Sequence, residues 1–213
     1  MNIENILPGD IEKKSMEIIE SELGDVSYLL EPEKLVLKRV IHTTADFEYK
    51  NNLKFSAGAV ESGISALKNG AVIVTDTNMA LSGISKPAVS KNGCKLCCFM
   101  GDDDVAKKAK QRKVTRAVVS MEKAAELFGT VNTIFAIGNA PTALIRLHEL
   151  IGERKISPSL VIGTPVGFVN VVQSKKLIMS DDIPYIVADG RKGGSTVAAA
   201  VCNALLYQIY DRK

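Results

Sequence analysis

Histidine, tryptophan and long apolar runs are scarce or absent in this sequence. Only two histidines, His42 and His148, occur among 213 residues, and there is no tryptophan. No apolar stretch approaches the roughly 20 residues that a membrane-spanning helix needs, and the N-terminus lacks the basic-then-apolar layout of a signal peptide. The sequence therefore predicts a cytoplasmic protein without a membrane partner.

The net charge is also small. Lys and Arg number 27 against 24 Asp and Glu, which gives +3 at neutral pH. Basic and acidic residues are mixed along the chain, so the composition predicts no nucleic-acid partner, although a local basic pocket is compatible with it.

Cysteines are few and do not form a metal site. Cys94, Cys97 and Cys98 lie in "GCKLCCFMG", but no second Cys or His pair completes the four ligands of a zinc site. Their apolar neighbours favour a buried strand. The run Asp102–Asp104 follows this strand and is interpreted as a helix cap, so we expect no metal site.

The length suits one domain over residues 1–213, with a helical N-terminal portion (1–70) packing on a sheet core (71–213). Apolar spacing predicts helices over residues 10–23, 32–46 and 56–69. Pro32 occupies a first-turn position of the second helix, and Gly70 is suited to cap the third.

After residue 70, short apolar runs alternate with helical patterns. They span residues 71–75, 95–99, 133–138, 160–164 and 185–188. Continuous apolar strands that alternate with helices predict an open α/β fold: a mainly parallel five-stranded sheet with helices on both faces.

Polar or glycine-rich loops follow all five predicted strands. Because carboxyl ends of parallel strands meet at one edge of a sheet, "GNAPT", "DGRKGGS" and their counterparts should surround one crevice. Arg191 and Lys192, which precede a helix N-terminus, favour carboxylate or phosphate binding there, and Arg116 is a further candidate. The chain has neither a Walker A motif nor a Gly-x-Gly-x-x-Gly motif after a strand.

His42 is eligible for acid–base chemistry but has no recognisable partner motif. Arg39 lies three residues before it and Asp46 four residues after it, so the spacing predicts that both share its helix face. From the residues alone, a packed or capping histidine remains the more common interpretation. His148 lies within an amphipathic helix and is interpreted as structural.

Seven segments, in order between residues 10 and 206, resemble the precorrin-8X methylmutase family. They include "EKKSMEIIESE" with Ser15, "VLKRVIH" with His42, "VIVTDTNMALSGI", "KVTRAVVSMEKA" with Arg116, "FAIGNAPTALIRLHELI", "LVIGTPVGFVNVVQSKK" and "VADGRKGGSTVAAAVCNAL". The resemblance implies an isomerase that moves a methyl group from carbon 11 to carbon 12 of a corrin precursor during cobalamin biosynthesis.

The same resemblance implies roles for individual residues. His42 would protonate the macrocycle as a general acid, and no separate cofactor would carry the methyl group. A homodimer is implied, with each site near the subunit interface; the small residues of "STVAAAVCNAL" would permit close helix packing. Ser15 and Arg116 match family positions that contact substrate, whereas the other expected substrate-binding residues rest on their location: Arg39, Asn139, Thr142, Lys192 and Gly193.

Two further functions remain open from the sequence. One is a non-catalytic corrinoid carrier that holds product for a following enzyme. The other, which the missing phosphate motifs disfavour, is a sugar-phosphate or nucleotide-binding enzyme. A cobalt-containing substrate is favoured over a metal-free one.

Overall fold

A computed structural model describes residues 5–210, which form eleven helices and one six-stranded sheet. The predicted domain limits, residues 1 and 213, lie outside this range. The strands are β1 (Leu53–Phe55), β2 (Val72–Thr75), β3 (Lys95–Cys97), β4 (Thr133–Ile137), β5 (Leu160–Gly163) and β6 (Tyr185–Ala188). The helices are α1 (Ile11–Leu23), α2 (Glu31–Thr44), α3 (Tyr49–Asn52), α4 (Ala59–Lys68), α5 (Asn78–Gly83), α6 (Lys86–Lys91), α7 (Asp103–Arg112), α8 (Arg116–Phe128), α9 (Pro141–Gly152), α10 (Val171–Ser180) and α11 (Ser195–Tyr207).

The sheet has the strand order β1-β6-β5-β4-β2-β3, and its strands from β2 to β6 are parallel. All five predicted strands are present. Every residue of β2, β4 and β5 is buried, because helices cover both faces of the sheet. The α/β fold predicted from the apolar runs is confirmed.

β1 was not predicted and corrects the expected strand count from five to six. It pairs antiparallel with β6, with Leu53 opposite Ala188 and Phe55 opposite Ile186. Three residues are too short to give a readable alternation of apolar and polar side chains. The N-terminal portion is therefore not wholly helical, since it also supplies an edge strand.

Two apolar clusters cover the two faces of the sheet. One joins α1, α2, α4 and α11 to the sheet and contains Val40, Ile186 and Val201. The other packs α8, α9 and α10 on the opposite face and contains Met121 and Leu144. Because the first cluster combines residues from before and after position 70, the N-terminal portion shares a core with the sheet.

Helix ends follow the local sequence signals. Pro32 lies in the first turn of α2, and Gly70, with φ of 69°, follows α4 as predicted. Among residues 5–210, no helix has both the length and the apolar content needed to cross a membrane.

Candidate active site

His42 lies in the last turn of α2, and its side chain is exposed. α2 ends two residues later because Ala45 adopts a left-handed conformation, with φ of 51°, and donates its N–H to the carbonyl of Ile41 at 2.7 Å. No hydrogen bond or ion pair connects the imidazole with another side chain of residues 5–210. His42 is therefore not a core residue, and its ring is available to an incoming ligand.

Asp46 does not share the helical face of His42, contrary to the prediction from spacing. α2 stops at Thr44, so Asp46 lies in the segment beyond the helix. There its Oδ2 accepts a hydrogen bond from Lys192 Nζ at 2.5 Å, and the same ammonium lies 2.8 Å from Glu48 Oε2. The hydrogen bond from Lys192 lowers the pKa of Asp46, and the hydrogen bond to Asp46 raises the pKa of Lys192. This pair fastens the loop after β6 to the segment after His42.

Arg39 lies one turn before His42 and connects α2 with α1 and α11. Its Nη2 donates a hydrogen bond to Glu12 Oε1 at 2.6 Å, and its guanidinium lies 5.2 Å from the ring centre of Tyr207. Ser15, one turn after Glu12 on α1, donates its hydroxyl to the carbonyl of Ile11 at 2.8 Å. The structure thus places α1, which carries Ser15, against α2, which carries Arg39 and His42.

A cavity of about 240 Å³ opens between α2, α5 and α11. Arg39 and Thr43 line it from α2, and Thr196 and Asn203 line it from α11. This volume is below the range of about 300–1,000 Å³ for sites that enclose drug-sized ligands, so the cavity can accept a polar arm of a larger molecule. A larger cavity of about 530 Å³ beside β1 contains none of the predicted site residues.

Lys175, on α10, supports the loop after β6 from inside the protein. Its side chain is fully buried, and its Nζ donates hydrogen bonds of 2.8 Å to the carbonyls of Gly190 and Lys192. Burial lowers the pKa of Lys175 to about 8, against the opposing charge of Asp189. Lys175 was missed from the sequence, although Val171, Ser174 and Ile178 mark the buried stripe of α10 on which it lies.

Gly193 belongs to the same loop and has a conformation that only glycine adopts readily. Its φ is 156°, and a Cβ at this position would lie 2.1 Å from the carbonyl oxygen of Thr164. The next residue, Gly194, donates its N–H to that oxygen at 2.7 Å. Close contact between the loops after β5 and β6 therefore requires glycine at position 193.

Asp76 organises the loop after β4, where Asn139 was predicted to bind substrate. The Asp76 carboxylate is buried and accepts three backbone N–H bonds, from Gly138 at 2.8 Å, Asn139 at 2.8 Å and Ala140 at 2.6 Å. Burial raises the pKa of Asp76, whereas these three bonds oppose the rise. The Asn139 side chain is exposed, so it remains available to a ligand. A polar loop was predicted after residues 71–75, where Asp76 lies, but the role of Asp76 in the adjacent loop was missed.

Arg116 and Thr142 form a second group of predicted site residues. The hydroxyls of Thr115 and Thr142 lie 2.8 Å apart, which places the start of α8 beside the start of α9. Arg116 is the first residue of α8, and its side chain is exposed. Since α9 follows β4, this group lies at the carboxyl edge of the sheet.

The predicted site residues therefore fall into two groups at one sheet edge. α2 lies in the core cluster of one face, whereas α8 and α9 lie in the cluster of the opposite face. Within residues 5–210, no hydrogen bond or ion pair directly joins Arg116 or Thr142 to His42 or Lys192. The loops after β2, β4 and β6 nevertheless meet at this edge: a Cβ on Gly138 would lie 2.6 Å from Ser195 Cα, and the hydroxyls of Thr77 and Ser195 lie 2.8 Å apart.

One known protein family matches nearly the whole chain. A family model described as precorrin-8X methylmutase matches residues 10–208, which include all the predicted site residues. The chain belongs to the precorrin-8X methylmutase family. As a member, it is an isomerase, a methylmutase of cobalamin biosynthesis.

Individual relatives agree over most of their length. A cobalt-precorrin-8 methylmutase of Leptospira interrogans is 47% identical over 204 residues, which are 92% of this chain and 92% of the relative. One of Priestia megaterium is 42% identical and covers 94% of this chain and 88% of its own. A crystal structure of the precorrin-8x methyl mutase from Thermus thermophilus superimposes with a TM-score of 0.84 at 38% identity, covering 92% of this chain and 96% of that chain.

In this methylmutase an apolar loop also faces solvent at the sheet edge, and it was missed from the sequence. Phe168 and Val169, after β5, are 81% and 79% exposed, and Met79, after β2, is also exposed. The Arg191 guanidinium lies 5.4 Å from the ring centre of Phe168. The sequence pattern that indicates this exposed loop is "TPVGFV", because apolar residues directly after a strand end are exposed unless something covers them.

Other chemically eligible residues have structural partners. His148 Nδ1 lies 2.8 Å from Asp181 Oδ1, so its ring links α9 to the residue after α10. Asp102 occupies the N-cap position of α7 without a capping hydrogen bond; Asp102 and Asp104 instead pair with Lys123 at 2.7 and 2.8 Å. Within residues 5–210, no three His, Cys, Asp or Glu side chains are placed to hold a metal ion.

Proposed function

We propose that the chain moves the methyl group on carbon 11 of the precorrin-8 macrocycle to carbon 12, with His42 as the general acid. The observation that carries this proposal is the exposed imidazole of His42, which has no hydrogen-bond or ion-pair partner among residues 5–210. The other histidine, His148, is held by Asp181. An imidazole can both donate and accept a proton, so His42 has the required chemistry and accessibility.

The reaction needs a proton at the ring and little else from the protein. Protonation of the conjugated macrocycle by His42 changes the bonding around carbon 11, and the methyl group then moves to the adjacent carbon. An isomerisation leaves the composition unchanged, so the rearranged ring loses one proton, which returns His42 to its starting state. A donor of this kind acts by position and requires no nucleophile.

The substrate-binding surface combines cations, polar groups and apolar side chains. A corrin precursor is a broad apolar ring with acetate and propionate arms, which suits this combination. Phe168, Val169 and Met79 would contact the ring, whereas the cavity beside Arg39 would receive an arm. Further arms would contact the remaining polar residues of the two groups: Ser15, Arg116, Asn139, Thr142, Lys192 and Gly193.

No separate cofactor enters this proposal, because the methyl group stays within one molecule. Cobalt, where present, is part of the substrate. Both curated relatives compared above are named cobalt-precorrin-8 methylmutases, which supports the cobalt-containing ring as the substrate of this chain.

A homodimer is part of the proposal. The division of the site residues into two groups supports it, since the Arg116 group of one subunit would complete the His42 group of its partner. The small residues of α11 do not supply the interface directly: Ala199 and Ala200 are buried within the chain, and a Cβ on Gly83 would lie 2.9 Å from Ala199 Cβ. We place the enzyme in the cytoplasm, where free thiols such as those of Cys97 and Cys98 stay reduced.

Turnover of cobalt-precorrin-8, followed by the change in its visible spectrum, tests this function. We expect conversion by the wild-type protein and a loss of at least about 100-fold in kcat for His42→Ala, while the variant still binds the corrinoid. His148→Ala is the matched control, which should lose stability but keep its kcat. Tight corrinoid binding without turnover by the wild type would instead assign the chain as a carrier.

A further inference from the structure

A basic segment lies next to Arg116, and the proposed function has not used it. Residues 105–118 contain six Lys and Arg residues and no Asp or Glu. The whole chain carries +3, so the remainder of the chain has a formal net charge of −3. Positive charge is therefore concentrated on α7 and the turn into α8.

Most of these cations have no hydrogen-bond or ion-pair partner among residues 5–210. Arg112 pairs with Glu122, and the nearby carboxylates of Asp102 and Asp104 are occupied by Lys123. Asp103, in the first turn of α7, makes no ion pair with another described residue. We call the cations whose side chains lack any hydrogen bond or ion pair within residues 5–210 the α7 cationic face: Lys107, Lys108, Lys110, Lys113 and Arg116.

The α7 cationic face surrounds a concave surface. Val105 and Ala109 are buried against Val119, which turns the lysines of α7 toward solvent. A cavity of about 390 Å³ is lined by apolar Ala106, Ala109 and Val114 and by three of the cations, Lys107, Lys110 and Arg116. The helical rise of about 1.5 Å per residue puts Lys107 and Lys113 roughly 9 Å apart along the axis.

The α7 cationic face lies beside the group of site residues that contains Arg116 and Thr142. Thr115, three residues after the end of α7, is the N-cap of α8, and its hydroxyl lies 2.8 Å from the hydroxyl of Thr142 at the start of α9. Arg116 lines the same cavity as Lys107 and Lys110, so an anion held by these two lysines is next to Arg116. The α7 cationic face is therefore continuous with the Arg116 group of proposed substrate-binding residues.

We propose that the α7 cationic face is an electrostatic docking surface that captures the carboxylate arms of the corrinoid and guides the ring toward Arg116. This inference rests on the proposed function, which supplies a small polyanion with several carboxylates. Cations of one sign within about one Debye length of each other act together on such a ligand, and steering of this kind raises association rates by roughly 10- to 1,000-fold.

A nucleic acid fits the surface less well. Single strands bind to cationic grooves in which aromatic side chains stack on bases, and the cavity beside α7 is lined by Ala and Val without any aromatic residue. An exposed lysine-rich surface with a shallow apolar floor matches a compact polycarboxylate whose arms surround an apolar ring.

Charge reversal on α7 tests the inference. Lys107→Glu/Lys110→Glu is compared with Lys68→Glu/Lys176→Glu, which changes the net charge equally at exposed lysines on α4 and α10. Turnover of cobalt-precorrin-8 is measured at low ionic strength and again at about 0.5 M salt, where the Debye length falls to about 4 Å.

We expect the α7 variant to lose about tenfold in kcat/KM at low salt through a higher KM, with kcat unchanged and the difference abolished at high salt. Equal effects in both double variants, or none, would overturn the docking surface while wild-type turnover leaves the methylmutase proposal intact. A wild-type protein without turnover overturns both. Salt-sensitive binding of a single-stranded oligonucleotide that only the α7 variant loses, with unchanged kinetics, would assign the surface to nucleic acid and also overturn the inference.

Discussion

The ammonium group of Lys192 lies 2.5 Å from a carboxylate oxygen of Asp46, a residue 146 positions earlier in the chain. This contact joins the glycine-rich loop after β6 to the segment that begins two residues after the end of α2. It thereby couples a substrate-binding loop to the position of His42. The lowered pKa of Asp46 and the raised pKa of Lys192 keep the pair charged throughout the neutral range.

We expect Asp46→Asn and Lys192→Met each to reduce kcat/KM for the corrinoid by about tenfold, because the loop is no longer fastened beside His42. The double variant should be no worse than either single variant if the contact itself is responsible. Steady-state kinetics of the three proteins measures this, with Lys176→Met as a control for charge alone. Independent, multiplying losses in the double variant would show that the two residues act separately.

Lys175 should make stability depend on pH in the alkaline range. Its pKa is about 8 in the folded protein and 10.5 as a free side chain. Between these values the unfolded chain binds more protons, so this group's contribution to the free energy of unfolding rises as pH increases from 8 to 10.5, by about 3 kcal/mol in total. The contribution is present above pH 10.5 and is lost as pH falls through 8.

Urea unfolding of wild type and Lys175→Met at pH 7, 8, 9 and 10 measures this difference. The wild type should gain stability relative to the variant only above pH 8. Lys176→Met, which removes the exposed neighbouring lysine, should run parallel to the wild type at every pH. Parallel curves for Lys175→Met would mean that burial does not lower the pKa of this lysine.

Asp76→Ala should destabilise the protein by roughly 3 kcal/mol, since it leaves the N–H groups of Gly138, Asn139 and Ala140 without their acceptor. Chemical denaturation measures this loss. Asp103→Ala, which removes an exposed carboxylate at the start of α7, should change stability by less than about 0.5 kcal/mol. A loss for Asp76→Ala no larger than that of the control would contradict the structural role of the three bonds.

Two glycines in the loop after β6 allow the cost of backbone strain to be measured apart from the cost of a steric clash. Gly190 has φ of 85° and no atom within 4 Å of an added Cβ, whereas a Cβ on Gly193 would lie 2.1 Å from the Thr164 carbonyl oxygen. Gly190→Ala should therefore cost about 1 kcal/mol, and Gly193→Ala should cost at least twice as much. Thermal unfolding compares them. Equal costs would mean that the Thr164 contact yields to an added methyl group.

The fold was predictable because its strands are continuous apolar runs that end in polar or glycine-rich loops. The strand β1 was not predictable, because Leu53–Phe55 is ordered mainly by pairing with β6, whose sequence lies more than 120 residues away. The same separation explains the incorrect placement of Asp46. The spacing of four residues suggested a helical neighbour of His42, but the left-handed Ala45 ends α2 first, and the partner of Asp46 comes from another part of the chain.

The site was predictable where a residue's role depends on chemical type at a sheet edge, as for His42, Arg116 and Lys192. It was not predictable where the role depends on what a buried polar group contacts. Lys175 lies on the apolar stripe of α10, which the sequence does reveal. Its two carbonyl acceptors lie in the loop after β6, and the path of that loop cannot be read from the sequence.

The three amide groups that converge on Asp76 have a consequence for ligand choice. Consecutive backbone N–H groups before a helix form the anion hole with which many α/β proteins bind a phosphate. Here a side chain from β2's own end fills that hole, so it is saturated before any ligand arrives. The Asp76 carboxylate thus occupies the position that a phosphate would take. Anion binding at this sheet edge is left to cationic side chains, which can contact the separated carboxylates of a ring.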